Sequence, residues 1–191
     1  MLLRDLIGDL EKGKKGLLSV KQYIQTGMFV DIMSPCNLLV FGLGGDSYFW
    51  NSLNENGRTI FIEDDSEWVE KFKELSLNIE LVEYKTSAKD YKDLNFNAEK
   101  LRLNLPKRIR GIEWDVVVVD GPLGHGPPSR EFKGPGRMQS IFTAWELLKP
   151  GGICIVDDYE RDIEKLYSNH FFGEDRIYQV IDEKIAIFKK L

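Results

Sequence analysis

Only two cysteines and two histidines occur among 191 residues. Two thiols cannot staple a fold, and Cys36 and Cys154 each lie in or beside an apolar run. They read as buried free thiols of a reducing compartment. His125 and His170 are too far apart to make a zinc-like pattern with them. Basic residues do not dominate either: 26 Lys+Arg against 31 Asp+Glu leave a net charge of -5. That balance disfavours nucleic acid as a partner. No apolar run approaches the ~18 residues that a bilayer span requires. The start of the chain is interrupted by Arg4, Asp5, Asp9, Glu11, Lys12, Lys14 and Lys15, so it lacks a signal-peptide pattern. A cytoplasmic chain that does not engage a membrane is the expectation. No repeat or low-complexity tract is present. What remains, 42% hydrophobic and 12% aromatic residues, suffices for one domain with a substantial core.

Residues 1–30 read as an N-terminal helical extension with apolar positions at helical spacing, broken around Gly13 and Gly16. Such a segment commonly covers an active site or pairs subunits into a homo-oligomer. Ser34-Pro35 marks a break before residues 31–191 take up an alternating pattern. Asn37 to Phe41, Arg58 to Ile62, Ile79 to Val82, Trp114 to Val119 and Ile153 to Val156 read as strands. The four consecutive valines of the fourth suit the interior of a parallel sheet covered on both faces. Helical stripes follow in Tyr48 to Leu53, in Trp68 to Leu75 after Ser66 as N-cap, in Met138 to Leu148, and in Ile163 to Tyr167. Lys149-Pro150-Gly151-Gly152 should end the third of these. Ile177 to Ile181 and Lys184 to Phe188 form an antiparallel hairpin. Lys85 to Arg110 yields no clear pattern. Gly121 to Gly136 is a proline-rich loop of the kind that often binds or covers ligands. The result is an α/β fold with a mostly parallel sheet.

In such a sheet, ligands bind beyond the carboxyl ends of the strands, where strand order reverses. The turn Gly42-Leu43-Gly44-Gly45-Asp46-Ser47 allows close backbone approach to a ligand. Glu63 ends the second strand about 20 residues later, where an acid grips ribose hydroxyls in nucleoside-binding folds. The competing reading of Glu63-Asp64-Asp65 is an acidic first turn that favours the next helix dipole. A dinucleotide is disfavoured, because Ser47 replaces the third glycine and Asp46 would repel pyrophosphate. A sulfonium with a charged amino-acid tail tolerates these acids.

Longer stretches carry a specific resemblance. Ser34-Pro35-Cys36-Asn37 through Gly42-Leu43-Gly44-Gly45-Asp46-Ser47, Gly57-Arg58-Thr59 through Glu63-Asp64-Asp65, Trp114-Asp115-Val116, Val119-Asp120-Gly121-Pro122 and Pro135-Gly136-Arg137-Met138 occur in order. Over residues 34 to 165 the chain resembles the plant glucuronoxylan 4-O-methyltransferase family, as a soluble prokaryotic-type relative. It departs from that family at Gly45, where histidine is usual, and at Asp157-Asp158, where His-Asp is usual. The resemblance implies a Rossmann-like class I methyltransferase with a seven-stranded sheet, using S-adenosylmethionine to methylate a hydroxyl of a sugar or uronic acid.

It assigns Gly42, Gly44, Asp46 and Ser47 to the methionine tail of the cofactor and Glu63, with Asp64, to its ribose. Ser87 and Ala88 fall near the adenine, and Asp120 points into the same cleft. Asp120 or Asp157 would then serve as general base. Asp120, Asp157 and Asp158 also resemble the metal triad of catechol-type O-methyltransferases, with Mg²⁺ or a similar ion as the alternative. Arg137 is the candidate partner for a substrate carboxylate, with His125 and Arg161 also placed toward substrate. A non-catalytic, cofactor-binding interaction protein is the rival from a different class.

Overall fold

The structure, a computed structural model, describes residues 18–124 and 133–191. Seven strands, β1 (Asn37–Phe41), β2 (Arg58–Glu63), β3 (Ile79–Leu81), β4 (Trp114–Val119), β5 (Leu148–Val156), β6 (Ile177–Ile181) and β7 (Ile185–Lys189), make one sheet. Their order is β3-β2-β1-β4-β5-β7-β6. The first five run parallel, while β7 lies antiparallel between β5 and β6. This is the Rossmann-like arrangement expected, with its closing hairpin. Strand order reverses between β1 and β4, so the crevice beyond their carboxyl ends is the natural ligand site.

The valine run shows why the sheet is two-sided. Val117 and Val119 join Leu39, Phe41 and Phe142 in one buried cluster. Val116 and Val118 join Leu38, Val40 and Trp50 in the other. Alternation by two sends successive side chains to opposite faces, and each face has its own helices to meet. These helices are α1 (Val20–Met33), α2 (Ser47–Leu53), α3 (Ser66–Phe72), α4 (Ala98–Leu101), α5 (Lys107–Arg110), α6 (Met138–Leu147) and α7 (Asp162–Phe172).

Several expected boundaries move. Helix α1 starts in a capping box, with Ser19 and Gln22 satisfying each other's backbone N–H groups. It runs through residue 30, and Tyr23 and Val30 belong to the same core as β1. The described part of the extension thus packs on the sheet; residues 1–17 lie outside the described residues. Asp65, rather than Ser66, caps α3 by accepting from the Glu67 N–H at 2.8 Å. Lys149-Pro150-Gly151-Gly152 forms the opening of β5. Lys85 to Arg110 holds only single-turn helices, yet it contributes Leu101, Leu103, Leu105 and Ile109 to the core. Cys36 and Cys154 are free and buried. Among the described residues no helix is long and apolar enough to cross a membrane.

Candidate active site

The glycine turn closes against the end of β4. Gly42 has φ +103°, and a β-carbon there would lie 3.0 Å from the Asp120 carbonyl group. Both facts require glycine at that position. A β-carbon on Gly44 would meet only Asp46 Oδ1, at 3.4 Å, so that part of the turn is left open to a ligand. Ser47 Oγ accepts from the Gly44 N–H at 2.9 Å and braces the turn from within.

Glu63 is placed differently from the expected ribose clasp. Its Oε2 accepts from Leu43 N–H at 2.9 Å, and Oε1 accepts from Asp64 and Asp65 N–H at 2.8 and 2.9 Å. A carboxylate has about four lone-pair sites. Three are committed, so Glu63 ties β2 to the glycine turn and keeps one site for a ligand. Asp64 faces the adjoining cleft instead. Burial, with the charge of Glu63, pushes its carboxyl up to about 6.

That cleft, about 620 Å³, is lined by Asp64, Val82, Tyr84, Thr86 and Pro135 among others. Its walls are the ends of β2 and β3 and the segment before α6. Ser87 and Ala88 do not line it. Ser87 caps the next turn through the Lys89 N–H, and Ala88 is fully buried with its N–H donated to the Gly134 carbonyl at 3.0 Å. Tyr84, Thr86 and Gln139 hold this wall: Gln139 Oε1 accepts from Lys85 N–H at 2.7 Å, and the Tyr84 hydroxyl meets Ser140 Oγ at 3.0 Å. None of the three stands in a recognisable motif position. Tyr84 and Thr86 follow β3, Thr86 opening the stretch expected near the adenine, whereas Gln139 lies on α6 and was not singled out.

The acids meet on the other side of the glycine turn. Asp120 follows β4, Asp157 and Asp158 follow β5, and Asp46 stands just before α2 with Oδ2 accepting from Trp50 Nε1 at 3.0 Å. Asp46 is buried, and burial, reinforced by Asp157, holds its carboxyl above the usual range. Burial also raises Asp120 well above that range, with Arg137 opposing and Asp157 adding to the rise. Asp157 is raised by burial and by Asp158. Asp120 and Asp157 share one site, and like charges so close hold a proton above the ordinary carboxylate range. A carboxyl raised in this way can accept a proton near neutral pH.

Arg137 is not presented to a substrate. It is 5% exposed. Its Nη2 contacts Asp120 Oδ1 at 3.1 Å and Asp158 Oδ2 at 2.8 Å, and its Nη1 donates to the Asp157 carbonyl at 3.0 Å. The expected partner of a substrate carboxylate is thus the internal counter-ion of the acid cluster. Arg161 sits nearer the surface, with its side chain 22% exposed. It pairs with Asp158 Oδ1 at 2.8 Å and donates to the Gly124 carbonyl at 3.0 Å. His125 lies outside the described residues.

The three acids proposed as metal ligands do converge, with one oxygen of each within 4.8 Å of the others. Both oxygens of Asp158, however, already carry a guanidinium, from Arg137 and from Arg161. Asp120 Oδ1 also meets Arg137, so a divalent ion would find only Asp157 without an arginine partner among these three, beside a buried positive charge, which is a poor fit.

Glu164 on α7 is a group the sequence reading missed, because an acid early in a helix looks like a dipole partner. It is 2% exposed and lies 3.9 Å from Arg137 Nε. Burial pushes its carboxyl up to about 7 from an ordinary 4.5, against the pull of Arg137. Between those pH values the unfolded chain releases a proton that the folded chain keeps, so this group lowers stability as pH rises. Two to three pKa units correspond to about 3 kcal/mol. Glu164→Gln should therefore raise the melting temperature at pH 8 by several degrees and leave it unchanged at pH 4. Thermal melts at the two pH values check this, and a variant less stable than the parent at pH 8 would contradict it.

Comparison with known proteins gives the following. A sequence model of the family described as IRX15/IRX15L/GXM matches residues 24–101 and 93–186. Protein IRX15-LIKE of Arabidopsis thaliana is 38% identical over 175 residues, covering 78% of this chain and 54% of that protein. Glucuronoxylan 4-O-methyltransferase 2 of the same plant is 36% identical over 165 residues, covering 74% and 55%. The chain spans about half the length of these curated relatives. Among solved structures, a SAM-dependent O-methyltransferase from Thermotoga maritima superposes with a TM-score of 0.57 at 11% identity, over 97% of this chain and 71% of that one. That likeness establishes the fold.

Proposed function

The chain belongs to the IRX15/IRX15L/GXM family, and from that premise we propose that it transfers a methyl group from S-adenosylmethionine to a hydroxyl oxygen of a sugar or uronic acid. The observation that carries the reading is the Asp120–Asp157 pair, half-buried at the ends of adjacent parallel strands and next to an open glycine turn.

The residues fit this cofactor. Asp46 and Asp120 suit a cationic amino-acid tail, Gly44 leaves room for it, and Asp64 with the spare site on Glu63 can accept from ribose hydroxyls. The cleft between Asp64 and Pro135 is of the size and polarity for an adenine. When bound, S-adenosylmethionine supplies an electrophilic methyl carbon on a sulfonium. Asp157 would accept the proton that the acceptor hydroxyl loses when the methyl carbon leaves sulfur for its oxygen. Arg137 holds the backbone of Asp157 through its carbonyl, and orientation of this kind can supply several kcal/mol of the barrier. Arg161, at the mouth of the site, is the remaining described candidate for a uronic carboxylate. The localisation consistent with two buried thiols is the cytoplasm.

The test is methyl-labelled cofactor with three acceptors: a glucuronic-acid-substituted xylo-oligosaccharide, an unsubstituted one, and a catechol. Label should appear as an ether on the uronic acid oligosaccharide alone. Labelling only of catechol would overturn the acceptor class. Because Asp158 is committed to two arginines, a chelator should leave the rate unchanged, and restoration of a lost rate by Mg²⁺ would favour the metal-dependent reading. A second reading, cofactor binding without turnover, is favoured by the match to Protein IRX15-LIKE, whose name states no reaction. Absence of label on every acceptor, with the cofactor bound, would support it.

A further inference from the structure

Tyr23 on α1 is 2% exposed and packs edge-to-face on Phe49 at 4.9 Å. Phe49 in turn meets Trp50, whose indole N–H holds Asp46. This stack directs the Tyr23 hydroxyl toward the acid cluster. Three carboxylates act on it, in the order Asp46, Asp120 and Asp157. The hydroxyl lies close enough to Asp46 to favour that carboxylate's charge, yet it completes no hydrogen bond of ordinary geometry among the described residues. A buried donor left in that state is destabilising, and natural cores rarely keep one without a use.

A ligand with an amino-acid tail resolves the mismatch. Its ammonium suits Asp46 and Asp120, but its carboxylate cannot be received by acids and needs a donor close to them. Backbone of the glycine turn is partly committed, since the Gly44 N–H already donates to Ser47. Accordingly, and resting on the cofactor reading above, we propose that the Tyr23 hydroxyl donates to the tail carboxylate of the bound cofactor. Burial and the three acids hold the phenol protonated, far above neutral pH, so the donor is always present. Helix α1 thereby becomes part of the cofactor site, although it precedes the first strand.

The test is calorimetric titration of the parent and of Tyr23→Phe with S-adenosylhomocysteine and with 5′-methylthioadenosine, which lacks the tail. Phenylalanine preserves the packing on Phe49. Loss of a hydrogen bond to a charged group should weaken S-adenosylhomocysteine roughly tenfold to a hundredfold and leave 5′-methylthioadenosine unchanged. Equal weakening of both ligands, or of neither, overturns the role of Tyr23 while the cofactor reading stands. If the parent binds neither ligand, the cofactor reading itself fails, and this inference with it.

Discussion

Replacing Asp157 with asparagine is expected to lower the methyl-transfer rate by about 10²–10⁴-fold, the usual worth of a positioned general base. Affinity for S-adenosylhomocysteine should change only a few-fold. A sugar hydroxyl is a weak nucleophile until its proton leaves, and of Asp120, Asp157 and Asp158 it is Asp157 whose carboxylate no arginine engages among the described residues, Asp120 and Asp158 being paired with Arg137 and Arg161. The pH profile supplies a second readout. Burial and Asp158 raise the Asp157 carboxyl, so in the parent the rate should climb with pH through an apparent value above the ordinary carboxylate range. Protonation removes the acceptor, hence activity is lost on the acid side. Asp157→Asn should abolish that limb. A variant that retains both rate and limb would remove Asp157 from the chemistry.

The second large effect concerns stability. Arg137→Met should destabilise the fold by about 3–5 kcal/mol, the cost of stranding buried charges when one partner is removed. For a chain of this size that is a fall of roughly 10 °C in melting temperature. The guanidinium simultaneously engages Asp120, Asp158 and the Asp157 carbonyl. Lysine offers a point charge without that planar fork, so Arg137→Lys should recover only part of the loss. Arg137 lowers the pKa of Asp120 and Asp157. Its removal therefore costs most at neutral pH, where these acids would otherwise carry charge, and least near pH 4. Melts across that range check it. A loss below 1 kcal/mol at pH 7 would mean that the acids are satisfied without Arg137.

Much of the architecture could be read from local pattern. The run Val116 to Val119 announces a strand with two apolar faces, and the structure supplies a buried cluster for each. The positions that follow the strands then locate the site, because sheet topology brings them to one edge. What the pattern could not disclose was orientation. Arg137 occupies a motif position whether its guanidinium faces substrate or the acids behind it; that depends on how α6 meets β4 and β5. Glu63 likewise ends β2 in either role, and only the fold of the glycine turn shows that backbone N–H groups claim most of its lone pairs.

Other residues were hidden by sharing the chemistry of ordinary core or surface positions. Tyr23 lies on an apolar helical stripe and looks like packing. Leu101, Leu103 and Leu105 follow a period of two without being a strand, since short turns anchored by Asn97 and Pro106 carry them into the core.

The crevice beside the glycine turn is the proposed adenosyl site, with the cationic end of the ligand among acids. The most direct measurement is a crystal structure of the protein with S-adenosylhomocysteine. It should show the adenine in the cleft lined by Asp64, Tyr84 and Thr86, and the ligand's ammonium beside Asp46 and Asp120. Density for the ligand elsewhere, or its amino-acid tail directed away from those carboxylates, would contradict it.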